Sequence, residues 1–288
     1  MLPAIHIKRT IDFNKGFRSL LEVLKLVAVS EYHNLEKKLQ TFERLQSVLG
    51  EFFRCIDTNQ IDHPFLNPGN RPMAVLAVTS DAGLLGGINM QVVSKAIHLV
   101  RESNNGHLVV IGERGVVYAQ DSGLTFTHFP GIVDNQRYAQ ACEIRDYLTQ
   151  KVMAKEFGGV KVVYPRAHSF VVHRVEVETF VPFALPEGTE VAKTGANTSE
   201  VSKEIIFEST PSEVIEYLAY IIFGQRLYEI FGFSRVCEQA ARYLHLEESC
   251  NKISEMNKKL LLQYFRRRHE IIDSNMRELF SARSIYAK

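Results

Sequence analysis

Several features typical of other protein classes are missing from these 288 residues. The four cysteines, Cys55, Cys142, Cys237 and Cys250, are scattered, with no CxxC pair and no zinc-type Cys/His spacing, so neither a disulfide framework nor a zinc site is predicted. No secretory leader precedes them, and a reduced, cytoplasmic setting is therefore expected. No run of about 18 apolar residues occurs, so no membrane-spanning helix or direct membrane insertion is expected.

An excess of charge of one sign is also missing from the chain as a whole. The 34 Lys and Arg residues oppose 33 Asp and Glu, so no global field draws the protein to nucleic acid or to an anionic membrane. Charge is unevenly distributed along the chain, however, because residues 252–288 hold nine Lys and Arg against four Asp and Glu. Any strongly charged partner must therefore use this local basic end.

Proline and glycine are scarce at both ends of the chain, where apolar residues recur every three or four positions. From Ala4 to about Ile56 there is no proline, and this pattern predicts one long amphipathic helix. A second helix is predicted from Pro211 to the C-terminus, with Gly224 and Gly232 as places for a bend or break. Each helix has an apolar seam, so we expect the two to pair as an antiparallel coiled coil.

The middle of the chain has a different pattern. Short β-branched runs at Met73–Ser80, Leu108–Gly112 and Val160–Tyr164 alternate with helical segments, which is typical of a parallel sheet covered by helices. Residues 169–183 predict either a final pair of strands or one longer edge strand. The sequence thus predicts an α/β fold with three parts: a helix over 1–56, a Rossmann-like domain over 57–210 and a helix over 211–288.

One glycine-rich turn could bind phosphate. The segment Ser80–Asn89 follows the first predicted strand and precedes a helix, but it has neither GxGxxG nor GxxxxGK[ST] spacing. We therefore predict that Gly83, Gly86 and Gly87 form a structural turn. A nucleotide-binding regulator or enzyme that uses this turn stays open as the alternative.

Other catalytic patterns are missing as well. The ten histidines form no HExxH motif, and no serine lies in a GxSxG setting. Glu176 and Glu178 have the spacing of paired carboxylates, although Arg174 beside them favours a solvated edge strand. We expect no catalytic residue, no cofactor and no metal in this chain.

The run Arg266, Arg267, Arg268 and His269 is the sharpest local feature of the basic end. Its three arginines spread over about 200° of helix surface, so they do not form one narrow stripe. A solvated helix face, contact with acidic protein loops and contact with a phosphate backbone are the open explanations. Nucleic acid is the least favoured of these, because no aromatic stacking platform or known binding motif accompanies the arginines.

Four segments, in this order along the chain, resemble motifs of one family, the gamma subunit or central stalk of F-type rotary ATP synthases. They are LKLVAVS at 24–30, SDAGLLGGIN at 80–89, IGERG at 111–115 and CEQAAR at 237–242. The resemblance covers the whole chain. It implies a non-catalytic rotor subunit that couples rotation of the membrane c-ring to ATP synthesis or hydrolysis in an alpha/beta hexamer.

The resemblance also implies partners and contact residues. Arg266, Arg267, Arg268 and His269 would contact loops of the hexamer, and Lys25 would lie lower, near acidic lever loops. The α/β domain would bind the epsilon subunit and the c-ring. The complex would be peripheral to the cytoplasmic face of the bacterial inner membrane.

The sequence departs from the family pattern at several positions. Ala82 stands where the family usually has Arg, Leu85 stands where it often has Cys, and the family's RQAxITQE segment is represented by RHEIIDSN at 268–275. These departures resemble a divergent branch, such as the alternate sodium-linked F-type ATPases.

Overall fold

The computed structural model describes residues 4–39, 63–67, 69, 71–103, 106–183 and 210–286, with side chains described up to residue 281. Contacts divide the chain into two compact units. Unit 1 contains Met1–Glu31 and Arg242–Lys288, and unit 2 contains Tyr32–Ala241. Each unit includes part of both terminal helices, whereas the domain boundaries predicted from the sequence lie at the ends of those helices.

The first helix, α1, spans Ala4–Lys37 and is shorter than predicted. Lys38 and Leu39 donate their backbone N–H groups to the carbonyls of Leu35 and Glu36, so the last turn closes with bonds to the third residue back. The predicted helix continues to residue 56, and its residues 40–56 lie outside the described part of the chain.

Unit 2 is built on a five-stranded sheet in the order β3-β2-β1-β4-β5. The strands and intervening helices are β1 Met73–Val78, α2 Ile88–Glu102, β2 His107–Ile111, α3 Glu113–Gln120, β3 Phe126–Phe129, α4 Arg137–Met153, β4 Gly159–Ala167 and β5 His173–Val181. The first four strands are parallel, and β5 pairs antiparallel with β4 at the edge. The predicted α/β class is confirmed, and residues 169–183 supply one edge strand.

Alternate residues of β1 face opposite sides of the sheet, as the pleat requires. Leu76 and Val78 pack in the apolar layer under α4, while Val75 and Ala77 pack under α2 and α3. All four side chains are fully buried. A strand covered on both faces is continuously apolar, which is why the sequence showed it clearly.

Strand β3 was missed by the sequence analysis. It has only four residues, Phe126–Phe129, and its side chains are half-buried or exposed at the edge of the sheet. Its backbone pairs in parallel with β2, with Val109 opposite Thr127. An edge strand of four residues is too short to show a distinctive hydrophobic periodicity, so it could not be recognised without the neighbouring strand.

The last helix, α5, spans Pro211–Tyr286 and begins where the sequence predicted. Thr210 and Glu213 form a reciprocal capping pair: the Glu213 N–H donates to Thr210 Oγ1 at 3.4 Å, and the Thr210 N–H donates to Glu213 Oε2 at 3.2 Å. The helix is not broken at Gly224 or Gly232, contrary to one expectation. These glycines instead leave room for the side chains of arginines from α4, because a Cβ at either would approach them to about 3 Å.

Candidate functional site

Unit 1 consists of the N-terminal part of α1 paired with the C-terminal part of α5. Asn14 Nδ2 donates to Asn257 Oδ1 at 2.9 Å, and Lys25 forms an ion pair with Glu247. The residue further along α1 therefore contacts the residue nearer the start of α5. The two helices are antiparallel, as predicted. A small apolar cluster joins Leu21, Leu246, Cys250 and Ile253, and Ile7, Ile11 and Ala28 of α1 are also buried.

Lys25, predicted to lie near acidic loops of a partner, contacts a carboxylate of its own chain. Its ammonium group bonds to Glu247 and lies 5.6 Å from the centre of the Tyr243 ring. The hydrogen bond to Glu247 raises the pKa of Lys25 above its ordinary value, although burial opposes the shift. Lys25 therefore stays charged and helps to join the two helices.

The outward surface of α1 is unusually apolar. Phe13 and Phe17 stack with ring centroids 6.2 Å apart while 70% and 44% of their surfaces remain exposed. The other exposed apolar residues of this helix are Ile5, Leu20, Val23, Leu24, Leu26 and Val27. An apolar surface of this extent on a helix pair is typical of a contact with another protein.

The C-terminal part of α5 carries the predicted basic run. Arg266, Arg268 and His269 are exposed, whereas Arg267 is half-buried and forms an ion pair with Glu270 one turn further on. Exposed apolar side chains accompany them: Leu261, Leu262, Phe265, Ile271, Ile272, Met276, Leu279 and Phe280. Three of the four predicted contact residues are thus available to a partner within a surface that is also apolar.

The glycine-rich turn lies at the carboxyl end of β1, where open α/β sheets commonly bind ligands. Gly86 has φ +61° and Leu84 has φ +63°, so the turn passes twice through the left-handed region. Asn89 Nδ2 donates to Ser80 Oγ at 2.8 Å and ties the two ends of the turn together. The turn is therefore held by its own side chains.

The turn also blocks the neighbouring helix terminus. Asp81 Oδ1 accepts the backbone N–H of Glu113 at 2.8 Å, so the carboxylate occupies the N-terminus of α3, where a phosphate would bind. Gly112, with φ +96°, lies so close to β1 that a Cβ would meet the Thr79 carbonyl oxygen at 2.7 Å. This close approach explains why a glycine occupies position 112. Because Asp81 already caps the helix N-terminus, the turn gives no support to the nucleotide-binding alternative.

Side-chain clusters and helices elsewhere in the described part of the chain bear on metal binding and on membrane spanning. Within it, no set of three or more His, Cys, Asp and Glu side chains could hold a metal ion. None of the helices described is long and apolar enough to span a membrane. The functional surface to compare with known proteins is therefore the helix pair.

Comparison with known proteins agrees with this architecture. A family model described as ATP synthase matches residues 4–284, nearly the whole chain. The chain belongs to the ATP synthase family. The resemblance to the gamma subunit, first suggested by four short motifs, is confirmed by curated relatives named ATP synthase gamma chain, which align over most of the chain.

Curated relatives in this ATP synthase family are gamma chains of similar length. The gamma chain of Bdellovibrio bacteriovorus is 25% identical over 285 residues, which cover 96% of each chain. That of Chlorobaculum parvum is 24% identical over 282 residues, covering 92% of this chain and 93% of the relative. The alignment of nearly complete chains means that both terminal helices and the sheet take part in the similarity.

Solved structures of ATP synthases share the fold at low sequence identity. A chain of the Euglena gracilis mitochondrial ATP synthase superposes with a TM-score of 0.68 at 13% identity, covering 98% of this chain and 93% of its own. A chain from the central stalk and c-ring of the Tetrahymena thermophila enzyme gives a TM-score of 0.60 at 17% identity, covering 80% of this chain and 99% of its own. The predicted combination of long terminal helices and an α/β domain is confirmed.

Some residues that shape these parts of the ATP synthase family member carry no local sequence signal. Gly83, Gly86 and Gly87 were predicted from the sequence, whereas the acidic cap Asp81 was missed because capping at a distance of 32 residues leaves no local signal. Leu21 is 4% exposed and Leu24 38% exposed, a difference that helical periodicity does not reveal.

Proposed function

We propose that this chain is the central-stalk rotor subunit of an F-type ATP synthase and couples rotation of a membrane c-ring to ATP synthesis or hydrolysis in an alpha/beta hexamer. The observation that carries the proposal is the antiparallel helix pair of unit 1, which exposes large apolar side chains beside the cations of its basic C-terminal end. Membership of the ATP synthase family supports it.

A shaft that turns inside a sleeve must avoid strong permanent bonds. Removing one partner of a buried ion pair costs about 3–5 kcal/mol, whereas an exposed pair contributes about 0–1 kcal/mol. Arg266, Arg268 and His269 are exposed, so their contacts with acidic loops would be screened and easily exchanged. The apolar side chains around them supply non-directional contact, which suits a moving surface.

Lys25 has a different part in this proposal from the C-terminal cations. Its charge is already engaged by Glu247, so it contributes to the stiffness of the helix pair and offers less charge to a partner. The hexamer contact is therefore concentrated on the exposed cations of α5 and on the apolar surface of both helices.

The partners in this proposal are the alpha and beta subunits around the helix pair, and the epsilon subunit and the c-ring against the α/β domain. The chain would meet the membrane only through the c-ring. This places it on the cytoplasmic face of a bacterial inner membrane, as a peripheral part of the complex.

Co-purification tests the proposal directly. Tagged chain expressed with the other subunits of its ATP synthase should capture alpha and beta subunits in one complex that hydrolyses ATP. Capture of neither subunit would overturn the rotor assignment.

The Arg268→Ala variant tests the contact surface. It should leave the isolated chain folded and weaken capture of the hexamer up to about fivefold, as expected from the loss of an exposed pair worth about 0–1 kcal/mol. Arg101→Ala, which removes an exposed arginine from unit 2, should capture the hexamer as the wild type does. Equal effects of the two substitutions would argue against a specific role for Arg268.

A further inference from the structure

The part of α5 that lies in unit 2 is held against the sheet by an apolar stripe. Its members are Ala219, Phe223, Leu227, Ile230 and Phe231, all buried in the layer that also contains residues of β1, β4 and α4. Apolar packing is strong but non-directional. By itself it holds the helix on the sheet without fixing the rotation of the helix about its own axis.

Arg226 adds a directional contact on one side of this stripe. Its Nε and Nη2 atoms donate to the two carboxylate oxygens of Glu178 on β5, at 2.7 and 2.6 Å. Its Nη1 atom bonds to Glu229, one turn further along α5, whose side chain is only 2% exposed. The guanidinium therefore joins the edge strand to the helix with a bidentate, charge-assisted geometry.

Arg235 repeats the same arrangement at a second place. Its Nε and Nη2 atoms donate to the two oxygens of Asp134, each at 2.9 Å, and its Nη1 atom donates to Glu238 at 2.7 Å. Asp134 belongs to the turn before α4. Each arginine thus holds one carboxylate from the body of unit 2 and one from three residues ahead in its own helix. We call these two sets of contacts the arginine clamps.

The clamps lie on opposite sides of the helix. Nine residues separate the two arginines, which corresponds to about 180° around the axis and about 14 Å along it. The buried residues Leu227, Ile230 and Phe231 fall between them on the helical projection. Turning the helix about its axis in one direction would stretch one clamp, and turning it in the other direction would stretch the second.

Stability alone is a weak explanation for this arrangement. Buried ion pairs are often no more stabilising than apolar residues of the same volume, because desolvation offsets the attraction. What they add is a fixed geometry, since a bidentate pair tolerates little rotation. That property is the one that a helix transmitting torque would need.

We propose that Arg226 and Arg235, with Glu178 and Asp134, are positioning residues that fix the rotational setting of α5 on the sheet, so that torque passes between the α/β domain and the helix without slip. This inference rests on the proposed rotor function. It adds to that function a specific set of residues in unit 2.

The test uses the complete ATP synthase reconstituted in lipid vesicles with the double substitution Glu178→Gln and Asp134→Asn. These amides keep the side-chain size and leave each arginine its charged partner in α5, so the fold is retained. ATP hydrolysis without an ion gradient should stay within about twofold of the wild type. Against a rising opposing gradient, ions pumped per ATP should fall at least about threefold, because slip increases with load.

A matched control carries Glu102→Gln and Glu156→Gln. Both carboxylates are exposed, and their ion pairs, with His98 and Lys151, do not involve α5. This control should pump as the wild type does at every gradient. Pumping by the double clamp variant that is indistinguishable from this control would overturn the inference. Failure of the wild-type complex to pump at all would instead overturn the proposed rotor function.

The single variants provide a second readout that a purely structural role would not produce. Because the clamps resist rotation in opposite directions, Glu178→Gln and Asp134→Asn should differ in whether ATP-driven pumping or gradient-driven synthesis is impaired more. The two variants should rank the two reactions in opposite orders. An equal loss in both directions for both variants would mean that the clamps only stabilise the fold, and would overturn the inference.

Discussion

The two units of this chain differ in how they bury apolar side chains. In unit 2, apolar residues form extensive layers on both faces of the sheet, and many of these side chains are fully buried. In unit 1, the apolar cluster of the helix pair has four residues, a few further side chains such as Ile7, Ile11 and Ala28 are buried, and large apolar side chains such as Phe13 and Phe280 are 70% and 64% exposed. Unit 2 contains extensive apolar layers, whereas unit 1 leaves much of its apolar surface exposed, which is the surface proposed to contact another protein.

The polar contacts of the units differ in the same way. The arginine clamps of unit 2 join elements far apart in sequence, and their carboxylates range from buried Glu229 and Glu238 to Asp134, which is 40% exposed. In the basic C-terminal part of unit 1, Arg267 pairs with Glu270 in its own helix, and its neighbours are exposed. One unit therefore fixes its internal geometry, and the other leaves its charges free to exchange partners.

The strongest test of this contrast truncates one phenylalanine of α5 in each unit. Phe231→Ala removes a fully buried ring from unit 2 and should lower the free energy of unfolding by about 3–5 kcal/mol. Phe280→Ala removes an exposed ring and should change stability by less than about 0.5 kcal/mol. Denaturant unfolding of the isolated chain measures both, and similar losses in the two variants would contradict the assignment of the cores.

A smaller effect is expected within the helix pair itself. Leu21→Ala should destabilise the pairing by about 2–3 kcal/mol, near the lower end for a buried leucine because the cluster is small and next to solvent. Leu24→Ala, three residues on, should cost less than about 0.5 kcal/mol, since that side chain is 38% exposed. Amide hydrogen exchange of α1 compares the two, and faster exchange in Leu24→Ala than in Leu21→Ala would reverse the proposed packing.

The clamp at Asp134 should make the stability of unit 2 depend on pH. The hydrogen bond from Arg235 lowers the pKa of Asp134 below its ordinary value of 3.8, and burial opposes this. The contribution is therefore fully present above about pH 4 and is lost as pH falls through the folded-state pKa.

Asp134→Asn should accordingly cost about 1 kcal/mol at neutral pH, a figure reduced because the side chain is 40% exposed. The wild type and the variant should converge as the pH falls below the lowered folded-state pKa of Asp134. Thermal unfolding across this range measures the difference, and a constant gap at every pH would show that the ionised carboxylate is not the source.

The smallest expected effect concerns Lys25. Lys25→Met keeps the length and apolar stem of the side chain but removes the ion pair with Glu247, whose side chain is 39% exposed. The loss should lie between about 0 and 1 kcal/mol, and added salt should reduce it. A loss of several kcal/mol that does not depend on salt would mean that unit 1 relies on a buried ion pair, which would weaken the contrast with unit 2.

The sequence was most informative where structure is local or strongly periodic. The continuous apolar runs of β1 and β2 were recognisable because both faces of these strands are covered. The start of α5 was recognisable because Thr210, Pro211 and Glu213 form a capping sequence within four residues. The motifs at 24–30, 80–89, 111–115 and 237–242 identified the family because they occur in order along the whole chain.

Contacts that depend on the topology could not be obtained in the same way. Asp81 caps a helix 32 residues away, Arg226 reaches Glu178 across 48 residues, and Arg235 reaches Asp134 across 101. Each pairing requires the sheet order and the position of α5 on the sheet, and a charged residue alone does not specify its partner. The same holds for Leu21 and Leu24, because helical periodicity gives the width of an apolar face but not its orientation.

The sequence by itself determined the class of fold, the start of the last helix, the basic C-terminal end and membership of the ATP synthase family. These properties follow from local preferences, hydrophobic periodicity and motif order, which are all present in the unfolded chain. Tertiary structure alone decided which leucine is buried in the helix pair, which carboxylate caps the N-terminus of α3 and which acidic residues hold the arginines of α5. Such choices depend on distances between remote segments, and those distances exist only after the chain has folded.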